Sequence, residues 1–209
     1  MTVVGIVPAG GSGERLGADR PKAFVVCAGR PLLEWSLDVL RASCSRVVVA
    51  VPPGFEGEPD RVLGGASRSA SVRNALAAAP EAGTVVVHDA ARPLVTHELV
   101  EACLGALVGV DAAIAATPVT DTIKETYPDG TVTQTLDRGR LWAVQTPQVF
   151  RADALRRALD VDDAALAAAT DDAALVEAAG GSVRVVEAPP ENFKVTTVAD
   201  LARAEAALC

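Results

Sequence analysis

Three glycines within four positions, Gly10, Gly11 and Gly13, follow directly on an apolar run that ends at Pro8-Ala9, and two cations, Arg15 and Lys22, come shortly after. Glycine lets a backbone approach an anion closely, and successive N–H groups form a nest suited to phosphate. Two familiar phosphate-binding patterns fail here. A GxxxxGK[ST] loop requires Lys-Ser or Lys-Thr after the glycines, and neither occurs. A dinucleotide GxGxxG fingerprint breaks at Leu16, where the third glycine belongs. What remains is a glycine-rich turn carrying extra positive charge. The plain alternative is an ordinary strand-to-helix turn with solvated basic residues, and the density of glycine and cation favours phosphate.

Two further segments have chemical potential. His88-Asp89-Ala90-Ala91-Arg92-Pro93 closes an apolar strand-like run. Ligands of open α/β sheets gather at the carboxyl ends of strands, where an aspartate can hold Mg²⁺ or a sugar hydroxyl and an arginine a phosphate. Alternatively, Asp89 and Arg92 simply pair with each other. His88 belongs to the apolar strand and reads as structural, and His97 as a surface residue in the first turn of a helix. The third segment, Pro189-Pro190-Glu191-Asn192-Phe193-Lys194-Val195-Thr196, sets a lone lysine among apolar neighbours, where a solvated edge lysine is an equal alternative. Arginine outnumbers lysine 16 to 3, so Lys22, Lys124 and Lys194 are exceptions to the default cation. Lysine supplies a compact point charge that the planar guanidinium does not reproduce.

The composition narrows the setting. A net charge of −8 argues against a nucleic-acid binder, although a local group of cations can still hold a small anionic substrate. No apolar run approaches the roughly 18–20 residues of a membrane span. The start, MTVVGIVPAGG, lacks a basic region and a cleavage site and reads as a first strand. Cys27, Cys44, Cys103 and Cys209 are scattered, with no CxxC pair, which speaks for a reducing cytoplasm and against structural zinc or disulfides.

Positioning these residues calls for an open, mostly parallel, Rossmann-like α/β sheet with helices on both faces, built as one domain over 1–209. Strands are expected at Val3–Pro8, Val47–Val51, Thr84–His88, Ala112–Thr117 and Ser182–Glu187. Helices are expected at Pro31–Ala42, Ser69–Ala79, Thr96–Leu107, Arg151–Leu159, Asp171–Ala179 and Val198–Leu208. Thr170 is the expected N-cap of the Asp171 helix, and Thr197 with Asp200 forms a capping box. One stretch breaks the rhythm. Val119–Leu136 holds two strand-like runs around Pro128-Asp129-Gly130, a β-hairpin arm (119–138) that needs the parent domain or a second subunit to pack against.

Taken in order, PAGGSGERLG with RPK, the Gly64-Gly65 to Ser71 segment, HDAARP, PVTDTIKE, LDRGRLWAVQTPQVF, TDDAALVE and ENFKVT resemble the 2-C-methyl-D-erythritol 4-phosphate cytidylyltransferases of non-mevalonate isoprenoid precursor synthesis. Two positions depart from the family pattern: Leu16 where methionine is common, and Ala66 where an acidic residue is frequent. The resemblance implies transfer of CMP from CTP to a polyol phosphate with Mg²⁺. It implies nucleotide contacts at Pro8, Ala9, Gly10, Gly11, Gly13, Gly65, Ser71 and Asp89, the last also a metal ligand alongside the triphosphate. Arg15, Lys22 and Lys194 would stabilise the transition state, and Arg92, Thr122, Arg138 and Thr170 would contact the polyol phosphate. The arm would cross a twofold axis, so that Thr122 and Arg138 serve the partner of a homodimer. Rival readings are a ribitol 5-phosphate cytidylyltransferase, a non-catalytic CTP sensor and, weakened by the broken fingerprint, a nicotinamide-dependent oxidoreductase.

Overall fold

A computed structural model of the chain describes residues 2–13, 16–17 and 20–209; Arg15 lies outside the described residues. Strand β1 (Val3–Pro8) is buried along Val4–Val7 and takes an interior place in a seven-stranded sheet. After the glycine turn, Lys22–Phe24 form one 3₁₀ turn, and the two-residue strands β2 (Val26–Cys27) and β3 (Arg30–Pro31) make a small hairpin. Helix α1 (Leu32–Ser43) buries Leu33, Leu37 and Leu40, the three-and-four spacing of a one-faced helix. Strand β4 (Arg46–Val51) and the short β5 (Arg61–Leu63) follow, then α2 (Arg68–Ala77), capped by Ser67, whose Oγ accepts from the Ala70 N–H at 3.1 Å. Strand β6 (Thr84–Val87) and helix α3 (His97–Ala106) complete the first half.

The second half runs β7 (Ala112–Pro118), the arm strands β8 (Lys124–Thr126) and β9 (Val132–Thr135), β10 (Trp142–Arg151), α4 (Ala152–Leu159), α5 (Asp163–Ala168), α6 (Asp172–Ala178), β11 (Val183–Glu187) and α7 (Val198–Leu208). The sheet order is β11-β7-β10-β6-β1-β4-β5, with β10 antiparallel to both its neighbours and the remaining pairs parallel. The chain passes from β1 to β4 on one side, then returns to lay β6 on the other side of β1. The carboxyl ends of β1 and β6 therefore diverge, which opens the crevice where α/β sheets bind ligands. One face is packed by α2, α4, α5 and α6 around Phe150, Leu155 and Leu159; the other by α1 and α3 around Leu33, Leu40 and Val100. Helix α7 closes a smaller cluster of Leu16, Cys27, Leu32, Val195 and Ala204.

The five expected strands and six expected helices are present within a residue or two at their ends. Elements not foreseen are β10, α5, the edge strand β5 and the short pair β2 and β3. Pro147, Gln145 and Gln148 interrupt the apolar pattern of β10, so a buried strand does not show in periodicity. Thr170 is not the N-cap of α6. Asp171 is, its Oδ1 accepting from the Ala174 N–H at 2.8 Å, and a carboxylate serves that position at least as well as a hydroxyl. The Thr197–Asp200 capping box forms as expected. The arm is a real hairpin, exposed along both strands, with Tyr127 and Val132 bare and Trp142 partly exposed at its root. Among the described residues no helix is long and apolar enough to cross a membrane.

Candidate active site

Two adjoining cavities open at the carboxyl ends of β1 and β6. The first, of about 560 Å³, is lined by the glycine turn, the Gly65–Arg68 segment and the loop after β6. The second, of about 440 Å³, lies beside it between β10 and α6. Arg68, Asp89 and Lys194 belong to both walls and mark the junction.

Backbone hydrogen bonds set the glycine turn. The Ala9 N–H donates to the Ala50 carbonyl at 2.7 Å, and the Lys22 N–H donates to the Gly11 carbonyl at 2.9 Å, folding Lys22 back onto the turn. Gly13 sits at φ +79°, and a Cβ there would meet the Arg20 carbonyl oxygen and the Lys22 nitrogen at 3.2 Å, so glycine is required on both counts. Gly65 packs directly on α2, where an added Cβ would lie 2.5 Å from that of Ala70. Ser71 Oγ accepts from the Gly65 N–H at 3.0 Å and donates to the Ser67 carbonyl at 2.9 Å. With its N–H taken, Gly65 has its carbonyl to offer a ligand, an acceptor suited to an exocyclic amine.

Lys194 is held from both sides in sequence. Asn192, fully buried, donates from Nδ2 to Gln145 Oε1 at 2.8 Å and to the Thr146 carbonyl at 2.9 Å, and its own carbonyl accepts from Arg92 Nη1 at 2.8 Å. The Val195 N–H donates to the Ala91 carbonyl at 2.8 Å. Between these anchors Lys194 Nζ reaches Asp89 Oδ2 at 2.7 Å, while Arg68 Nε donates to Asp89 Oδ1 at 3.0 Å. Lys194 is thus part of the site and not a solvated edge lysine. Asp89 does not hydrogen-bond to the Arg92 side chain. Burial works against the Asp89 charge, but Arg68, Lys194 and Arg92 outweigh it and hold the carboxyl far below the usual carboxylate range. Burial likewise opposes the charge of Arg68, yet Asp89 and Asp172 push its pKa up. For Arg92 burial prevails and the pKa falls, and its Nε is buried without a hydrogen-bond partner among the described residues.

His88 is structural, as expected. It is fully buried with Nε2 at 3.2 Å from the Arg92 carbonyl and Nδ1 at 3.0 Å from Thr146 Oγ1. A carbonyl can only accept, so Nε2 carries the proton. Burial lowers the pKa to about 4, which keeps the ring neutral at pH 7.

Of the residues proposed from sequence, Pro8, Ala9, Gly10, Gly11, Gly13, Lys22, Gly65, Ser71, Asp89 and Lys194 line the first cavity. Arg92 and Thr170 line the second. Thr122 and Arg138 line neither; both are exposed on the arm, where Arg138 Nη1 donates to the Thr120 carbonyl at 2.5 Å. No three His, Cys, Asp or Glu gather as a metal cage among the described residues. Asp89, the carboxylate on the first cavity's wall, pairs through Oδ1 with Arg68 and through Oδ2 with Lys194; Mg²⁺, which takes one or two carboxylates and completes its shell with phosphate oxygens and water, would share those oxygens through their second lone pairs. Sequence reasoning missed Arg68 and Asp172. Arg68 is one arginine among 16 and carries no motif glycine beside it, although its place just after the Ser67 cap and the glycine pair was a usable signal.

Comparison with known proteins gives the family. The family model for 2-C-methyl-D-erythritol 4-phosphate cytidylyltransferase matches residues 3–209. Curated relatives of that name include those of Deinococcus radiodurans, 47% identical over 96% of this chain and 87% of the relative, and Nocardia farcinica, 46% identical over 99% and 94%. The crystal structure of the Thermus thermophilus protein of that name superposes with a TM-score of 0.84 at 38% identity, covering 99% of this chain and 98% of the other. The chain is therefore a member of the 2-C-methyl-D-erythritol 4-phosphate cytidylyltransferase family.

Proposed function

We propose that the chain transfers CMP from CTP to 2-C-methyl-D-erythritol 4-phosphate in non-mevalonate isoprenoid precursor synthesis, with CTP in the first cavity and the polyol phosphate in the second. The observation that carries this reading is the junction, where Lys194, Asp89 and Arg68 stand on the walls of both cavities. A phosphate monoester has a second pKa near 6, so at pH 7 it is mostly a dianion and attacks without a protein base. Its oxygen forms the new bond to the α-phosphorus of CTP as the bond to the β-phosphate oxygen breaks, and pyrophosphate leaves. The described cavity walls carry no histidine or cysteine, in keeping with a reaction governed by charge and position. Lys22 on the glycine turn and Lys194 at the junction neutralise charge on the transferring phosphoryl group, with Arg15 as the expected third cation. Asp89 would hold Mg²⁺ together with triphosphate oxygens, and the bound ion would offset the repulsion between the two reacting phosphates. The Gly65 carbonyl accepts from the amino group of cytosine; uracil presents a carbonyl there and leaves both acceptors unpaired.

The active form is a homodimer in the cytoplasm. The exposed arm, with Tyr127, Val132 and the nearby Trp142, offers apolar surface to a twofold copy of itself, and Thr122 and Arg138 reach the polyol phosphate of the other subunit. Pyrophosphate release tests the reading, with methylerythritol 4-phosphate and ribitol 5-phosphate each run against CTP, UTP, ATP and GTP. Turnover should need CTP and favour methylerythritol phosphate. Equal kcat/KM for UTP and CTP would remove the cytosine assignment, and preference for ribitol phosphate would replace the acceptor.

A further inference from the structure

Arg68, the first residue of α2, divides its guanidinium between two carboxylates. Nε donates to Asp89 Oδ1 at 3.0 Å and Nη1 donates to Asp172 Oδ2 at 2.5 Å. The other oxygen of Asp89 receives Lys194 Nζ at 2.7 Å. Charges therefore alternate along the row Asp172, Arg68, Asp89, Lys194, and only the last three border the cavities. The Asp172 side chain has no exposure, lines neither cavity and leaves Oδ1 without a hydrogen-bond partner among the described residues. A carboxylate so placed cannot touch a ligand, and a buried, partly unsatisfied oxygen is unfavourable in itself. Its effect must pass through Arg68. Guanidinium groups favour a two-bond clasp on one carboxylate. With Nη1 held on Asp172, the guanidinium is turned so that Nε alone meets Asp89; the Nε/Nη2 fork does not close on both oxygens, and Oδ2 stays open to the ammonium.

We propose that Asp172 is a positioning residue for Lys194: by restraining Arg68 it keeps the guanidinium from closing on both oxygens of Asp89, and so reserves the anchor that fixes Lys194 at the junction. The inference rests on the reading of Lys194 as the cation serving both substrates. It distinguishes Asp172 from Asp171, the helix cap beside it, whose Oδ2 accepts from Gln148 Nε2 at 2.7 Å on the wall of the second cavity.

Asp172→Asn keeps the shape and removes the charge. It should lower kcat for pyrophosphate release by about tenfold while changing the KM for CTP by less than about twofold. In an Arg68→Lys background the same substitution should change kcat by less than about twofold, because lysine cannot clasp both oxygens. The chain has only three lysines, so a lysine side-chain NMR spectrum resolves Lys194 directly, assigned through Lys194→Arg. Its signal should move in Asp172→Asn and stay in place in Arg68→Lys. An equal loss of kcat in both backgrounds, or a wild-type Lys194 signal in folded Asp172→Asn protein, would overturn the proposal. If Asp172→Asn does not fold, the Arg68→Lys chain decides alone: a displaced Lys194 signal there means that the charge of Arg68, and not its restraint, sets the anchor. A Lys194 signal that moves as expected while Lys194→Ala retains full turnover would leave the anchor standing and sink the catalytic reading instead.

Discussion

Mixing an Arg138→Ala chain with a Lys22→Ala chain, each nearly inactive alone, should restore activity if the arm serves a neighbouring subunit. Lys22 is folded against the glycine turn of its own chain, whereas Arg138 is exposed at the arm base and lines neither cavity beside it. The outgoing stretch Val119–Tyr127 would reach roughly 30 Å if fully extended at ~3.3 Å per residue, enough to leave its own domain. In a mixed dimer, the site built on the Arg138→Ala chain has an intact Lys22 and borrows an intact Arg138; the other site carries both defects. Random exchange makes about half the dimers mixed, each with one sound site of two, so about a quarter of wild-type activity should return. The assay is pyrophosphate release before and after incubation under exchange, with exchange itself followed by mass or by a labelled subunit. If subunits demonstrably exchange and activity stays at the sum of the parents, Arg138 acts within its own chain and the crossing arm is wrong.

Lys194→Ala should lower kcat by at least ~10²-fold, the scale of losing one preorganised donor, with folding retained because the side chain is 42% exposed; unchanged turnover would reduce it to a surface residue. Gly65→Ala forces a methyl to within 2.5 Å of the Ala70 Cβ and 2.7 Å of its carbonyl carbon, so thermal unfolding should show a loss of about 1–3 kcal/mol, and the KM for CTP should rise as the segment shifts. Burial of His88 lowers its pKa from 6.5 to about 4, so between those values the unfolded chain binds more protons. That contribution is complete above pH 6.5 and is lost as the pH falls through 4, about 3 kcal/mol in all, visible in denaturant unfolding from pH 7 to 4 and absent in a folded His88→Gln variant.

Much of the fold was legible because β1, β4, β6 and β7 are continuous apolar runs, the mark of strands buried on both faces. The glycine turn and Asp89 stood out as unusual residue types at strand ends, and Lys194 as a rare lysine among apolar neighbours. What stayed hidden is non-local. Nothing within β10 shows that its polar Gln145 and Gln148 face a cavity while Val149 and Phe150 fill the core. Arg68 and Asp172 are 104 residues apart, and only the meeting of the first residues of α2 and α6 in the fold makes them partners. Asp171 displaced Thr170 as the cap of α6 because a carboxylate caps at least as well as a threonine hydroxyl, and a one-residue difference in where a helix starts is not fixed by its apolar pattern.

The antiparallel setting of β10 has a consequence for the arm. Because β7 and β10 pair directly, Trp142 opposite Pro118 and Val144 opposite Ala116, the segment between them is topologically a hairpin loop, grown long. Its two ends leave the sheet side by side, so the sheet neither needs the arm to close nor registers its length. The arm is thus a detachable handle on the body of the fold: shortening 119–138 to a tight turn, or exchanging it for the arm of a relative, should leave unaltered the register that places the cavities.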